Sequence, residues 1–288
     1  MRWEEGQQEG EVEDRRGLKP AVVGGGAVGL VIMLIAYFLT GDANQARMIA
    51  QKVGPMVAPQ AEVAGPPPDD KVKEFSQKIL GFTNESWNTL FPDNFGRPYE
   101  PPRMVLFTGQ VDSEGCGVAP SAVGPFYCPA SRKLFVDPTF FEELEQKLGG
   151  SKADFSKAYV IAHEVGHHVQ NLLGYNKLLE KYRKAEGENA GIRLELQADY
   201  LAGVAWNYVE SKRQVLETGD IESAIKTAKA IGDDRLQEKS RGWASPESFN
   251  HGTASQRLKH FMAGFKSGDA SKRALDRFFS TDVRPLDL

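Results

Sequence analysis

The sequence predicts an α+β domain, mainly helical with a small β-sheet, that follows one transmembrane helix. Near the N-terminus lies a long run without charged residues, and short apolar runs of strand character follow it. From Pro138 to the C-terminus almost every segment repeats its apolar residues at helical spacing. A few strands followed by many helices is the pattern of an α+β domain. The 288 residues are 41% hydrophobic, which is ordinary for a globular core.

The apolar run from Ala21 to Leu39 lies within residues 20–40 and predicts a membrane anchor. Its 19 residues would extend about 28 Å as a helix, close to the ~30 Å hydrocarbon thickness of a bilayer. A buried core helix and a cleavable signal peptide are the alternatives. The consecutive glycines Gly24–Gly26 argue against a core helix, and the poor cleavage site argues against a signal peptide.

The basic residues around this run predict its orientation. Four precede the run and two follow it at a similar distance: Arg2, Arg15, Arg16 and Lys19, then Arg47 and Lys52. The positive-inside rule therefore places the N-terminus in the cytoplasm and the rest of the chain in the periplasm or outside the cell. The expected protein is a single-pass protein of the inner, cytoplasmic membrane, with the lipid bilayer as a partner through residues 20–40.

Two further segments flank the anchor. Residues 1–19 are polar and rich in Gly and Glu, which predicts a disordered cytoplasmic tail. Residues 41–69 include three consecutive prolines at 66–68 and predict an extended linker. The folded domain is therefore expected to comprise residues 70–288.

The domain should open with an amphipathic helix, because Val72, Phe75, Ile79 and Leu80 recur at helical spacing. Two short buried strands are then expected, at Met104–Gly109 and Lys133–Asp137. The predicted helices are Phe140–Leu148, Asp154–Leu173, Lys177–Glu186, Ile192–Ser211, Asp220–Ile231 and a set from Thr253 to Phe279.

The two cysteines, Cys116 and Cys128, lie between the predicted strands in a stretch rich in Gly and Pro. They are too few for a structural zinc site. In an oxidising compartment they are expected to form a disulfide that closes a short loop. Two unrelated free thiols are the alternative.

The central motif is H-E-x-x-H, formed by His163, Glu164 and His167. On a helix, positions i and i+4 share one face, so both imidazoles can bind the same zinc ion. Glu164 would lie beside the ion, placed to take a proton from its bound water. His168 points about 100° away and is expected to be structural. Two surface histidines on an ordinary helix are the alternative.

A third zinc ligand is expected on a later apolar helix, RLELQADYLAG. Glu195 and Asp199 are again four residues apart, and two buried acids on one face need a cation or a partner. Glu195 as the third ligand and Asp199 as acceptor from a ligating imidazole would meet that need. Alternatively, both carboxylates face solvent.

The ordered set GCG…GPFYCP, IAHEVGHHVQNLLG, ELQADYLAGVAW and HGTASQR resembles a bacterial family of neutral zinc metallopeptidases, the YpfJ-like proteins. Spacing of the third ligand is similar to that in gluzincin-type HExxH peptidases. The resemblance implies a zincin-like fold with one Zn²⁺ per chain. It also implies that His251 could stabilise the oxyanion, although a capping or surface histidine is the alternative. Arg257 could pair with a carboxylate near the site or face solvent.

The expected activity is hydrolysis of peptide bonds in a peptide or protein substrate, with Glu164 activating zinc-bound water. By analogy with zincins, an edge strand near the motif helix would align an extended peptide. Either of the two predicted strands could serve, most favourably Leu134–Asp137. A membrane-anchored binding or assembly module with a structural or vestigial zinc site is the alternative. Hydrolysis of a non-protein amide such as a cell-wall peptide also stays open. The formal net charge of −4 gives no reason to expect a nucleic-acid partner.

Overall fold

The computed structural model describes residues 1–6, 10–17, 70–151, 153–232 and 251–288. The predicted anchor at 20–40 and linker at 41–69 lie outside the described residues. Among the helices of those described ranges, none has the length and apolar character needed to cross a membrane.

The described strands are β1 Val12–Asp14, β2 Arg103–Leu106, β3 Gln110–Asp112, β4 Val118–Pro120, β5 Phe126–Cys128 and β6 Lys133–Val136. Four of them form the main sheet in the order β1-β2-β6-β5. The first three strands of this order run parallel, and β5 runs antiparallel to β6 at one edge. The other two strands, β3 and β4, form a separate antiparallel hairpin.

Helices make up most of the described chain, as the sequence predicted for a mainly helical α+β domain. The α-helices are α1 Lys71–Phe95, α2 Thr139–Glu143, α3 Asp154–Leu173, α4 Tyr175–Glu186, α5 Gly191–Arg213, α6 Asp220–Ala230, α7 Ala254–Ser267 and α8 Lys272–Asp276. Two of them have side-chain caps at their start. The Asp70 carboxylate accepts from backbone N–H groups at the start of α1, and Thr253 and Gln256 form a capping box at the start of α7.

Helix α1 is longer than the predicted amphipathic segment, which ended at Leu80. Burial continues along the helix through Phe82, Trp87 and Phe91, so the packing that stabilises it extends well past the predicted end. Four of the six strands within the described ranges, β1, β3, β4 and β5, are only three residues long. Such strands are too short to show alternation, and only the two four-residue strands were expected.

Residues 1–6 and 10–17 differ from the disordered tail that their composition predicted. Trp3 is 8% exposed and packs edge-on against Phe75. Strand β1 pairs with β2, and its flanking backbone contributes bonds from Met104 N to Glu11 O at 2.9 Å and from Arg15 N to Leu106 O at 2.7 Å. Amino-acid composition does not reveal that one indole will be buried or that a row of backbone hydrogen bonds will form. Together these contacts order the segment.

The core contains buried side chains of α1, α3, α5, α7 and the main sheet, and α5 packs against both α3 and α7. A Cβ on Gly203 of α5 would lie 2.1 Å from the Phe261 carbonyl oxygen, and one on Gly264 of α7 would lie 2.0 Å from the Tyr200 carbonyl oxygen. Both positions therefore require glycine, because the backbones of α5 and α7 touch there. This close crossing holds α5 rigidly behind the helix that carries the HExxH motif.

Candidate metal centre

Three side chains from two helices converge on one point. His163 and His167 project from α3, and Glu195 projects from α5. Their ligand atoms all lie within 4.8 Å of one another. The two carboxylate oxygens of Glu195 face one imidazole each, with Oε2 3.3 Å from His163 Nε2 and Oε1 3.4 Å from His167 Nε2.

A glycine brings the two helices close enough for this convergence. A Cβ on Gly166 of α3 would lie 2.9 Å from the Ala198 carbonyl oxygen and 3.1 Å from the Ala198 Cα. Glycine at position 166 costs about 1 kcal/mol of helix propensity relative to alanine. In return, its missing side chain lets the backbones of α3 and α5 approach closely. The approach puts the Glu195 turn of α5 against the HExxH turn of α3.

The ring of His163 is oriented by a buried network on its far side. Its Nδ1 lies 2.8 Å from Asp199 Oδ1. Asp199 also accepts from the Tyr159 hydroxyl over 2.5 Å and from Arg257 Nε over 2.9 Å. Asp199 is fully buried, and Arg257 compensates its charge. With Nδ1 occupied by the carboxylate, Nε2 is left to face the convergence point.

His167 has its own orienting partner. Its Nδ1 lies 2.8 Å from Gln170 Oε1. The Gln170 amide nitrogen donates to the Leu194 carbonyl over 2.7 Å and to Gln197 Oε1 over 3.0 Å. This amide chain ties the second imidazole to α5. The amide also fixes the tautomer, because its oxygen accepts a proton only from an Nδ1–H.

The electrostatics of the cluster favour binding a cation. Burial lowers the pKa of the His163 imidazole, but the Asp199 carboxylate outweighs it and raises that pKa to about 10. Burial likewise lowers the pKa of His167, and Glu195 raises it above the ordinary value. Burial raises the pKa of Glu195, yet the two imidazoles hold it well below its usual range. The Glu195 carboxylate is therefore ionised, and positive charge is stabilised beside it.

Glu164 is distinct from the other acids of the site. It is buried, lines the same cavity, and makes no hydrogen bond to any residue that the structure describes. Burial raises the pKa of its carboxyl group above the ordinary value. A carboxyl group whose pKa is raised holds a proton more readily than one in water, as a group that transfers protons must.

A cavity of about 580 Å³ opens onto this cluster. His251 lies exposed at its wall, immediately after residues 233–250, which the structure does not describe. Tyr159 and Arg257 also reach the cavity from the buried network. The apolar part of the wall includes Val123, Phe126, Phe140, Val160, Leu194 and Ile231.

Strand β5 borders the cavity and is the edge of the main sheet on that side. The expectation that Leu134–Asp137 would present a free edge was wrong, because β6 pairs with β2 on one side and β5 on the other. Both edges of β6 are therefore already hydrogen-bonded. Among the described strands of this sheet, β5 pairs on one side only, and its Phe126 and Tyr127 line the cavity.

Two attachments hold β5 in place. Cys128 at its end forms the predicted disulfide with Cys116, so the pairing of the two cysteines is confirmed. His168 reaches the strand from α3, with Nδ1 3.0 Å from the Tyr127 hydroxyl and Nε2 2.7 Å from the Glu100 carbonyl oxygen. Burial lowers the pKa of His168 to about 4, so the ring is neutral and accepts from Tyr127. His168 is structural, as its direction on the helix predicted.

Some residues of the site were not found from the sequence. Gln170 lies three residues after His167, but a glutamine in an amphipathic helix carries no distinctive signal. Tyr159 precedes His163 by one turn, and this spacing could have marked it as a neighbour of the same face. Arg257 was noted as a possible partner of a carboxylate, and the structure assigns it to Asp199.

The family comparison agrees with this geometry. Residues 1–275 match the family described as "Putative neutral zinc metallopeptidase". The chain belongs to this family. The matched range also includes the residues of β1, which precede the three candidate metal ligands in the chain.

Relatives of the chain carry no assigned activity in their names. The chain is 39% identical to "Uncharacterized protein YpfJ" of Escherichia coli K12 over 287 residues, covering 94% of this chain and 97% of the relative. It is 42% identical over 208 residues to "Uncharacterized protein Rv2575" of Mycobacterium tuberculosis, covering 68% of this chain and 67% of the relative. No solved structure matches the chain.

The donor set fits the zinc that the family implies. Two imidazole nitrogens and one carboxylate are ligands that catalytic zinc sites use, with a position left for water or substrate. Both imidazoles have their other nitrogen hydrogen-bonded, as ligating histidines require.

Proposed function

We propose that this chain is a membrane-anchored zinc metallopeptidase that hydrolyses peptide bonds. The observation that carries the proposal is the convergence of His163, His167 and Glu195 beside a buried Glu164 that makes no hydrogen bond to any residue the structure describes. A site that only stabilised the fold would need a fourth protein ligand and no acid of this kind.

In this proposal His163, His167 and Glu195 hold one zinc ion per chain. When bound, zinc supplies a Lewis acid that acidifies a water molecule and polarises the scissile carbonyl group. Asp199 and Gln170 keep the two imidazole rings turned toward the ion through their Nδ1 atoms.

Glu164 is the proposed proton carrier. Its carboxylate takes a proton from the attacking water and later delivers it to the leaving amine. The raised pKa of Glu164, caused by burial, suits a group that must hold the proton between these two steps. His251, at the wall of the same cavity, is proposed to donate to the oxyanion of the tetrahedral intermediate.

An extended peptide is the proposed substrate, aligned along strand β5. This strand has a free edge on the cavity, and main-chain pairing with it would carry the substrate past the cluster. The arrangement of motif helix, glutamate helix and edge strand supports a zincin-like fold. Apolar side chains on the cavity wall, among them Phe140 and Val160, favour peptides with apolar residues near the cleaved bond.

Membrane anchoring is proposed from the apolar run between Ala21 and Leu39. The disulfide between Cys116 and Cys128 supports a location of the domain in an oxidising compartment, outside the cytoplasm.

The test uses the full chain purified in detergent, with metal analysis and an unstructured protein such as casein as substrate. We expect about one zinc per chain and cleavage that Glu164→Gln abolishes without loss of metal. Glu195→Ala should lose both metal and activity. Glu222→Gln, an exposed glutamate on α6, is the matched control and should change neither.

The same experiment separates the rival functions. A chain that binds zinc but cleaves no protein, with Glu164→Gln unchanged in every assay, would support a binding or assembly module. Release of amines from cell-wall peptides by a chain that leaves casein intact would move the substrate class outside proteins. A folded chain that takes up no metal after zinc loading would contradict the peptidase proposal.

A further inference from the structure

The two ends of the segment that contains the apolar run meet at one point of the domain. Arg16 lies just before residues 18–69, and Asp70 lies just after them. Arg16 Nη1 is 3.3 Å from Asp70 Oδ1, and Arg16 Nη2 forms an ion pair with the same carboxylate. Asp70 is also the N-cap of α1. The chain thus leaves the domain and returns to it at the same place.

The N-terminal segment is built into the domain by several independent contacts. Strand β1 completes the sheet beside β2, and Gly10 N donates to the Gln77 carbonyl of α1 over 2.8 Å. Trp3 Nε1 donates to Asp154 Oδ2 at the start of α3 over 3.1 Å. Gly10 itself touches α1, since a Cβ there would lie 2.4 Å from Leu80 Cγ.

The arginines that favoured a cytoplasmic N-terminus have partners in the folded domain. Arg15 pairs with Glu13 over 2.6 Å and also with Glu114, which follows β3. Arg16 pairs with Asp14 over 2.6 Å as well as with Asp70. In the folded chain these two positive charges are therefore held against the domain that follows the apolar run.

We propose that residues 10–17 and the peptidase domain lie on the same side of the membrane. A hydrocarbon layer of ~30 Å cannot separate a strand from the neighbour to which it is hydrogen-bonded, nor Arg16 from Asp70. The expected single pass, with the N-terminus in the cytoplasm and the domain outside, is the alternative that this proposal excludes. The proposed anchor at residues 20–40 would then hold the chain at the bilayer without a net crossing between residues 17 and 70.

The test is the accessibility of single thiols in the full chain, expressed in bacterial cells and treated with a membrane-impermeant maleimide. Glu4→Cys reports on the N-terminal segment and Glu180→Cys on α4, and both positions are exposed. The unsubstituted chain is the background control, because its two cysteines are joined. We expect both reporters to be labelled in intact cells. Labelling of both only after lysis would keep them on one side and place that side in the cytoplasm.

Labelling of one reporter in intact cells and the other only after lysis would overturn the proposal. A second measurement reports directly on the packing of the N-terminal segment against the domain. In the purified full chain, Gly10→Ala should lower the melting temperature by roughly 3–8 °C, because the added methyl group overlaps Leu80. Glu4→Ala is the control and should leave it unchanged. An unshifted melting temperature in Gly10→Ala would show that the segment is not docked and would also overturn the proposal.

Discussion

Asp199 is a fully buried carboxylate. It forms an ion pair with Arg257 and a hydrogen bond with the imidazole of His163. Burial raises the pKa of Asp199, but Arg257 and His163 outweigh it and lower that pKa to about 2. Its ionised form therefore contributes stability above its ordinary pKa of 3.8, and that contribution is lost as the pH falls toward 2.

Removal of either member of this pair should be costly, because the other charge is left buried alone. We expect Arg257→Met and Asp199→Asn each to lower the free energy of unfolding by about 3–5 kcal/mol. The double variant should lose markedly less than the sum. Urea unfolding of the full chain in detergent measures this. Arg284→Met, which breaks an exposed pair with Asp287, is the control. Additive losses in the double variant would show that the pair is not coupled.

Zinc binding should release protons, since the pKa values of both His163 and His167 are raised in the metal-free site. At pH 7.5 the His163 ring carries a proton that a metal ligand cannot keep, and the raised pKa of His167 adds to the release, so at least about one proton should be released per zinc. Calorimetric titration in buffers of different ionisation enthalpy measures this number. The same linkage weakens zinc binding between about 10-fold and 100-fold for each pH unit lowered. Proton release near zero would show that the rings are neutral before metal binds.

At the scale of elements, the site depends on how closely α3 and α5 approach. We expect Gly166→Ala to weaken zinc binding, because its methyl group would lie 2.9 Å from the Ala198 carbonyl oxygen and push the helices apart. Overpacking should cost about 1–3 kcal/mol of stability, offset by about 1 kcal/mol of improved helix propensity. Zinc affinity and urea unfolding measure the two effects, with Lys157→Ala on the same helix as control. Unchanged zinc affinity would mean that the site tolerates a wider spacing.

Strand β5 should depend on its link to the HExxH helix. Tyr127→Phe removes the hydroxyl that contacts His168 over 3.0 Å and Asn171 over 2.9 Å. We expect a loss of about 1–3 kcal/mol in stability, because His168 Nδ1 is left without its donor. With peptide substrates KM should rise more than kcat falls, while zinc content stays the same. Tyr208→Phe, which removes a hydroxyl that contacts Thr89 over 3.0 Å and does not line the cavity, is the control. An effect on kcat alone would show that the link does not position substrate.

At the scale of the whole molecule, the disulfide closes the loop between the β3–β4 hairpin and the end of β5. Sequence separation is 12 residues, for which loop closure predicts about 3 kcal/mol of stabilisation. We expect Cys116→Ser/Cys128→Ser to lower the free energy of unfolding by about this amount and to keep zinc, since α3 and α5 hold all three proposed ligands. Denaturant unfolding with metal analysis tests both parts. Loss of zinc in this variant would show that the loop supports the cluster itself.

Much of this molecule follows from local sequence patterns, and the remainder depends on contacts between distant residues. Helical periodicity predicted α3 and α5, and the four-residue spacings placed each pair of polar groups on one face. The pairing of Asp199 with Arg257 joins residues 58 apart and has no local signal. Strand β1 likewise becomes a strand only through a partner far along the chain.

The register of β1 sets an order of events during synthesis. Val12 pairs with Met104, so 92 residues (104 − 12) separate the strand from its partner in the chain. At about 5–20 residues per second, the ribosome completes the partner roughly 5–20 s after β1 has emerged. For most of that interval the apolar run after β1 has already been synthesised, while β1 still has no partner strand. With the proposed membrane anchor, the chain would therefore reach the bilayer with β1 unpaired, and β2 would have to be completed on the same side for the sheet to close.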